Sequence, residues 1–225
     1  MTLEIDVVCL FPGMLEGPLS ESIPGRTRER GLVEVRVQDL RRWGLGRHRS
    51  VDDTPYGGGA GMVLRPEPVA AALDELRRPE STTVLLDPGG EVFRQARAAE
   101  LAMRSHLVLV CPRYEGVDER IRDLFDLEIS IGDYVLTGGE LAALVVIDAV
   151  TRLLPGAIDD ASTVEESFSA GLLEYPQYTR PAAFRGQAVP DVLVSGHHEA
   201  VRRWRHDAAV ARTRARRPDL LPPES

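Results

Sequence analysis

The chain contains 225 residues, of which 43% are hydrophobic and 28% are charged, a composition typical of a globular protein and not of a disordered or fibrous chain. It has no run of 18 apolar residues, and its first residues, MTLEIDVVCLF, read as a strand rather than an export signal, so we expect no membrane span. Its two cysteines, Cys9 and Cys111, are too few for a disulfide scaffold, and we expect buried thiols in a cytoplasmic protein.

Strand and helix patterns alternate along most of the sequence. Apolar runs rich in β-branched residues predict strands, and helical spacing of apolar residues predicts helices. The predicted strands are 3–11, 32–37, 83–86, 107–111 and 127–131, and the predicted helices are 66–77, 94–103, 118–125 and 139–153. This order predicts an α/β fold with a mainly parallel sheet that helices cover on both faces.

The character of the sequence changes after residue 156. Residues 157–169 are polar, acidic and without a regular apolar period, which predicts a linker. Residues 198–216 have helical composition, and we interpret Trp204 on their apolar stripe as a core anchor rather than a base-stacking platform. We therefore predict three parts, namely an α/β domain over 1–156, an interdomain linker over 157–171 and a helical domain over 172–225.

The net charge of -8 is distributed unevenly along the chain. Residues 176–217 contain nine arginines against three acidic residues, a net charge of +6, so the rest of the chain carries -14. A basic tail on an acidic body is what contact with a nucleic-acid backbone requires. An arginine-rich helix exposed to solvent has the same composition, and the charge pattern alone leaves both interpretations open.

Three glycine-containing loops each follow a predicted strand. They are LLDPGG at 85–90, RYEGVDER at 113–120 and SIGDYVLTGGE at 130–140. Because the carboxyl ends of parallel strands meet at one edge of a sheet, we expect these loops to form a pocket for one small ligand.

The glycine-rich segment 52–62 matches neither a phosphate loop nor a dinucleotide fingerprint, so alone it indicates either a mobile loop or a ligand loop.

Five motifs in a fixed order carry a resemblance to a known family. They are VDDTPYGGGAGM, CPRYEGVDER, SIGDYVLTGGE, YTRP and SGHHEAVRRWR, and they extend over nearly the whole chain. In these motifs the chain resembles the bacterial tRNA (guanine-N1)-methyltransferases of the SPOUT superfamily. The resemblance implies a SPOUT fold with a deep C-terminal trefoil knot, followed by a small helical domain. It also implies S-adenosylmethionine as cofactor, tRNA as partner, and a homodimer whose active sites are shared between the chains.

The resemblance assigns binding roles to the residues that match the family's motifs. For the cofactor they are Pro88, Gly90, Tyr114, Glu115, Gly116, Ile131, Gly132, Tyr134, Leu136, Gly138 and Gly139. For tRNA they are Tyr178, Thr179, Arg180, His198, Arg202 and Arg203. A cofactor with an adenine ring and a positive sulfonium needs apolar walls, backbone hydrogen bonds and nearby carboxylates, and the first set provides these groups.

The reaction that the resemblance implies is methylation of N1 of the guanosine immediately 3′ of the anticodon, at position 37 of tRNA. N1 carries a proton, so the reaction requires a general base, and a cation can stabilise the charge that develops on the neighbouring carbonyl oxygen. The resemblance gives these roles to Arg152 and to an aspartate just before Ser167. Here Glu166 stands at the aspartate position, and either Glu166 or the neighbouring Glu165 is expected to act as the base.

The replacement of the usual aspartate by glutamate leaves two other functions open. One is a SPOUT paralogue that methylates a different nitrogen acceptor, and the other is a catalytically weakened homologue that binds RNA. We expect no zinc site, because His48 and His106 lack the spacing of zinc ligands. A magnesium requirement stays open, because oxygen ligands leave little signature in a sequence.

Overall fold

The computed structural model describes residues 2–159, 166–168 and 171–222. The chain divides into two compact units, Met1–Ile158 and Asp159–Ser225. This boundary falls within the predicted linker, of which residues 160–165 and 169–170 lie outside the described residues. In the described part of the chain, no helix combines the length and the apolar composition that crossing a membrane requires.

The first unit is built around one parallel sheet. Its elements are β1 (Leu3–Cys9), α1 (Gly13–Ser20), α2 (Ser22–Glu29), β2 (Val33–Asp39), β3 (Asp52–Asp53), β4 (Val63–Leu64), α3 (Pro66–Leu76), β5 (Ser81–Val92), α4 (Gln95–Ala102), β6 (His106–Val110), β7 (Leu127–Ser130) and α5 (Glu140–Thr151), with 3-10 helices at Leu40–Trp43 and Glu119–Leu124. The sheet has five strands in the order β2-β1-β6-β5-β7, and all neighbours are parallel. The predicted α/β fold with a parallel sheet is therefore confirmed.

Apolar side chains alternate between the two faces of this sheet. In β1, Ile5 and Val7 belong to the core cluster under α1, α4 and α5, whereas Val8 belongs to the cluster under α3 and the two 3-10 helices. The strands are therefore buried on both faces, as predicted. A strand buried in this way reads as an unbroken apolar run, which explains why β1 and β6 are visible in the sequence.

Four local elements differ from the sequence prediction. Helices α1 and α2 were not predicted, because Pro18 lies inside α1 and Pro24 lies near the start of α2, where prolines normally indicate an interruption. The predicted helix over 118–125 is a 3-10 helix. The predicted strand over 83–86 is longer, because its pairing with β7 breaks after Leu86 and resumes at Glu91.

A buried polar network joins the strands near the amino edge of the sheet. The Asp6 carboxylate accepts hydrogen bonds from Arg36 Nε at 3.1 Å and Arg36 Nη2 at 3.0 Å, and it lies 3.0 Å from His106 Nε2. On the other side of the ring, His106 Nδ1 lies 2.6 Å from Ser81 Oγ. Burial alone would raise the pKa of Asp6, but the hydrogen bonds from Arg36, His106 and Gln38 hold that pKa below its usual value.

The second unit contains a short hairpin and a long helix. Its elements are β8 (Ala183–Phe184), β9 (Gln187–Ala188), α6 (Asp191–Val194) and α7 (His198–Arg216), followed by the 3-10 helix Pro218–Leu220. Thr213 of α7 is fully buried, and its Oγ1 accepts a hydrogen bond from the Leu173 N–H at 2.9 Å. Trp204 is half-buried, with its ring centroid 6.2 Å from that of Tyr178. The segment before the hairpin therefore packs against α7.

Candidate active site

A pocket lies at the carboxyl edge of the sheet, where three loops meet. They are the bulge within β5 at 87–90, the loop after β6 and the loop after β7. The lining residues are Leu86, Asp87, Pro88, Pro112, Arg113, Tyr114, Ile129, Ser130, Ile131, Gly132, Tyr134, Val135, Leu136, Thr137, Gly138, Gly139 and Ala142. This is the edge at which open parallel sheets bind ligands.

The pocket contains most of the residues that the sequence predicts for a cofactor. Pro88, Tyr114, Ile131, Gly132, Tyr134, Leu136, Gly138 and Gly139 line it. Gly90, Glu115 and Gly116 are not among its lining residues. A Cβ on Gly90 would lie 2.5 Å from the Ile129 backbone nitrogen, so this glycine allows two backbone segments to approach closely. The sequence analysis did not single out Asp87 and Arg113, although both lie in the loops that it identified.

Two tyrosines at the rim of the pocket are held by unusual backbone. Tyr114 has φ +59°, in the left-handed region, and it is half exposed. Burial and a hydrogen bond with Asp52 raise the pKa of its phenol. Gly132 has φ +147°, and a Cβ there would lie 2.6 Å from the Tyr134 ring. The loop can therefore fold the Tyr134 ring back over residue 132 only if that residue is glycine.

The glycine-rich segment 52–62 lies beside the loop after β6. Its end continues into β4, and the Glu115 N–H donates a hydrogen bond to the Met62 carbonyl at 2.9 Å. The Leu64 N–H in turn donates to the Gly116 carbonyl at 2.9 Å. Glu115 faces a second cavity that residues of this segment also line, among them Tyr56. The segment therefore supports one wall of the candidate site.

A carboxylate is fixed in the wall formed by the bulge in β5. Asp87 Oδ1 accepts a hydrogen bond from the Gly89 N–H at 2.9 Å, and Asp87 Oδ2 accepts one from Arg122 Nη2 at 3.2 Å. Arg122 also pairs with Glu128 at 2.6 Å. The pocket thus offers one oriented carboxylate beside apolar side chains and loop backbone, a combination that suits a ligand with a polar end and an apolar ring.

An ion pair connects two of the loops that line the pocket. Arg113 Nε donates hydrogen bonds to both carboxylate oxygens of Glu140, at 3.2 and 3.0 Å. Glu140 is fully buried. Burial, assisted by the negative charge of Glu140, raises the pKa of the nearby Cys9 thiol to about 12. Burial also raises the pKa of Cys111, so both buried thiols stay protonated and have no nucleophilic role at neutral pH.

Arg152 lies at the end of α5 that is remote from the pocket. Gly139, which caps the start of α5, lines the pocket, and the 12 residues Glu140–Thr151 separate it from Arg152. Ala142 in the first turn of α5 also lines the pocket, and at the rise of an α-helix the ten residues from Ala142 to Arg152 correspond to about 15 Å. Arg152 is half-buried and already interacts with its surroundings. The structure therefore does not bring Arg152 into the pocket of its own chain.

The remaining predicted site residues lie in the second unit. Glu166 is half-buried, and Glu165 lies outside the described residues. The residues predicted to contact tRNA, which are Tyr178, Thr179, Arg180, His198, Arg202 and Arg203, are all exposed. Within residues 2–159, 166–168 and 171–222, no three His, Cys, Asp or Glu side chains cluster closely enough to hold a metal ion.

The fold defines an α/β protein with a pocket at the carboxyl edge of a parallel sheet, the edge at which such folds bind small ligands. The family described as tRNA (Guanine-1)-methyltransferase TrmD matches residues 3–223, and the chain belongs to this family. The resemblance carried by the five sequence motifs is thereby confirmed.

Individual relatives agree with this family assignment. A Chloroflexus aggregans protein named tRNA (guanine-N(1)-)-methyltransferase is 56% identical over 223 residues, which cover 97% of this chain and 88% of the relative. Proteins of the same name from Dictyoglomus turgidum and Geobacillus kaustophilus are 52% and 54% identical, each over 97% of this chain and over 90% and 91% of the relatives.

Proposed function

We propose that this protein methylates N1 of guanine in tRNA, at the guanosine immediately 3′ of the anticodon, with S-adenosylmethionine as the methyl donor. The observation that carries this proposal is the family match over residues 3–223, in which two of the five motifs, CPRYEGVDER and SIGDYVLTGGE, contribute walls of one pocket. A paralogue with another acceptor and a weakened RNA-binding homologue are both disfavoured, since relatives above 50% identity share one enzyme name.

The residues of the pocket fit a nucleoside with a sulfonium group. Ile131, Leu136 and the Tyr134 ring provide apolar surface for the adenine, and loop backbone provides hydrogen-bonding groups. The Asp87 carboxylate, which Arg122 holds in place, is available to a hydroxyl or a positive group of the donor. When bound there, S-adenosylmethionine supplies an electrophilic methyl group.

Two side chains would carry the chemistry at guanine. The Glu166 carboxylate takes the proton from N1, which frees the nitrogen lone pair for bonding to the methyl carbon. The Arg152 guanidinium stabilises the negative charge that develops on O6 as the proton leaves. Glu165 is the alternative base, since it is the neighbouring carboxylate in the sequence.

We further propose that two chains form each active site. Measured along α5, Arg152 lies about 15 Å from Ala142, the last residue of that helix that lines the pocket, so a partner chain is the simplest source of this group. The exposed side of α5 carries two large apolar side chains, Leu141 44% and Val145 45% exposed, next to the exposed Asp148. A groove lined by Leu144, Val145, Pro18 and Pro24 continues this surface. Such a surface suits a two-fold interface between identical chains.

The assignment of the other parts follows from family membership. Residues 1–156 would form the SPOUT domain with its trefoil knot, residues 157–171 the interdomain linker, and residues 172–225 a tRNA-binding domain. The exposure of Tyr178, Thr179, Arg180, His198, Arg202 and Arg203 is consistent with contacts to tRNA. Arginine forks and exposed hydroxyl and imidazole groups are suited to phosphates and guanine edges.

The test is methyl transfer from labelled S-adenosylmethionine to unmodified tRNA. One substrate has guanosine immediately 3′ of the anticodon, and a matched control has adenosine there. We expect label in the first tRNA only, recovered as N1-methylguanosine after digestion. Transfer to both tRNAs, or label on another atom, would indicate a different acceptor. Binding of tRNA without transfer would indicate the weakened RNA-binding homologue.

A further inference from the structure

The Arg113–Glu140 ion pair connects two loops of the pocket in addition to stabilising the fold. We propose that this pair is a positioning device for the methyl donor, because it locks together two loops that both line the donor pocket. The inference rests on the proposed function, since it concerns the ligand assigned to that pocket.

Both charged groups are held with little freedom to move. The Glu140 side chain is 0% exposed and the Arg113 side chain is 13% exposed. The guanidinium carbon of Arg113 lies 4.4 Å from the centroid of the Phe11 ring, and Arg113 Nη2 lies 2.9 Å from Met14 Sδ. Glu140 is the first residue of α5, so the helix N-terminus also stabilises its charge. Together these contacts hold the pair in one arrangement.

The pair connects two loops that are distant in sequence. Arg113 follows β6 and Glu140 follows the loop after β7, and the backbones of the two loops meet in an isolated bridge between Arg113 and Gly138. The Gly139 N–H donates a hydrogen bond to the Pro112 carbonyl at 2.9 Å. A Cβ on Gly138 would collide with the Arg113 side chain and would lie 2.7 Å from Glu140 Oε2. Gly138 therefore leaves the space that the ion pair occupies.

The connected residues are themselves the walls of the pocket. Pro112, Arg113 and Tyr114 line it from one loop, and Gly138 and Gly139 line it from the other. If the ion pair is lost, the loops can separate without unfolding the sheet, since β6 and β7 are held by their own neighbours. A donor held between the two loops would then bind less tightly.

The amino edge of the sheet offers a matched comparison. Asp6 and Arg36 form a pair with the same chemistry, and the Asp6 side chain is 3% exposed. Asp6, Arg36 and His106 do not line the pocket. Removing the charge of Asp6 therefore disturbs a buried pair of similar kind without touching the donor.

The experiment compares Glu140→Gln with Asp6→Asn. Titration calorimetry with S-adenosylmethionine alone, without tRNA, gives the dissociation constant of the donor, and thermal unfolding gives the stability of each variant. We expect Glu140→Gln to weaken donor binding by at least about tenfold, and Asp6→Asn to change it by less than about twofold, although both lower the unfolding temperature. Arg113→Lys keeps the positive charge but lacks the planar guanidinium with its several N–H donors. We therefore expect it to weaken donor binding by about threefold.

The outcomes separate this inference from the proposed function. If the unmodified chain binds the donor and Glu140→Gln binds it equally well, the positioning role is wrong and the proposed donor stands. An equal loss of affinity in Asp6→Asn would also overturn the inference, because affinity would then follow general stability. If the unmodified chain does not bind S-adenosylmethionine, the proposed donor itself is wrong. Should Glu140→Gln fail to fold, Arg113→Lys makes the same comparison with a milder change.

Discussion

The two edges of the parallel sheet each contain a buried arginine–carboxylate pair, but only one pair borders a pocket. At the amino edge, Asp6 of β1 and Arg36 of β2 pair directly across neighbouring strands. At the carboxyl edge, Arg113 and Glu140 pair across two loops. The comparison shows that the location of a buried pair decides its role, since strands are already held in register by backbone hydrogen bonds and loops are not.

The backbone conformation also differs between the two edges of the sheet. The carboxyl-edge loops contain Tyr114, Gly116 and Gly132 at φ +59°, +101° and +147°. Glycine adopts such conformations readily, whereas Tyr114 keeps its left-handed conformation only where the surroundings enforce it. At the amino edge, Asp6 and Arg36 lie within regular strands. The loop that contains Tyr114 therefore depends on contacts such as the Arg113–Glu140 pair, whereas the strands hold the Asp6–Arg36 pair in place.

The largest expected effect follows from Gly138→Leu, which breaks only the carboxyl edge. A side chain there collides with Arg113 and Glu140, and overpacking of this kind forces the loops apart. We expect donor binding to fall below detection in calorimetry while the sheet still folds, as judged by circular dichroism. The control is Gly17→Leu on α1, where a Cβ meets nothing within 4 Å. Equal loss of donor binding in the control would contradict the account.

The same variant tests whether the sites are shared between chains. Gly138→Leu and Glu166→Gln are each expected to be inactive alone. If the donor pocket of one chain works with the Glu166 of its partner, a mixed dimer has one intact site, and exchange of subunits should restore up to about a quarter of wild-type activity. No recovery in mixtures that have demonstrably exchanged subunits would mean that each site is built within one chain.

A smaller effect, confined to catalysis, is expected from Arg152→Ala and Glu166→Gln. If these residues act on the guanine and not on the donor, as proposed, kcat should fall by at least about 100-fold with donor affinity unchanged. Glu165→Gln is the matched control for the base and should keep most of the activity. If Glu165→Gln is the inactive variant and Glu166→Gln is not, the base is Glu165. A parallel loss of donor affinity in Arg152→Ala would contradict its proposed role.

The smallest effect concerns acid stability, to which Glu4 at the amino edge should contribute. Hydrogen bonds from Arg78 and Arg36 lower the pKa of Glu4 from 4.5 to about 2. Because the folded chain binds this proton less readily than the unfolded chain, the stabilisation is complete above pH 4.5 and is lost as the pH falls towards 2. Glu4→Gln should therefore lower the unfolding temperature by a few degrees above pH 4.5 and make its decline at lower pH shallower. Glu16→Gln, a change at an exposed position, is the control and should leave the fall of the unfolding temperature with decreasing pH unchanged. If the unmodified protein and both variants show the same dependence of unfolding temperature on pH, the proposed contribution of Glu4 is wrong.

The sequence predicts the sheet and the pocket loops better than it predicts the contacts between them. Strands such as β1 and β6 are visible because burial on both faces makes them continuously apolar. The pairing of Arg113 with Glu140 spans 27 residues and leaves no periodic signal, so only the folded chain reveals it. The remote position of Arg152 likewise depends on the direction in which α5 leaves the pocket, which a motif does not specify.

Hydrogen exchange of the unmodified protein, measured with and without S-adenosylmethionine, tests most directly the claim that the donor binds at the carboxyl edge. We predict that the donor slows exchange in residues 86–90, 112–116 and 131–139, which form the three loops of the pocket. Exchange in β2 and in the first residues of β5, at the amino edge, should stay the same. Protection that is strongest at the amino edge, or a bound donor that leaves the three loops unchanged, would contradict the account.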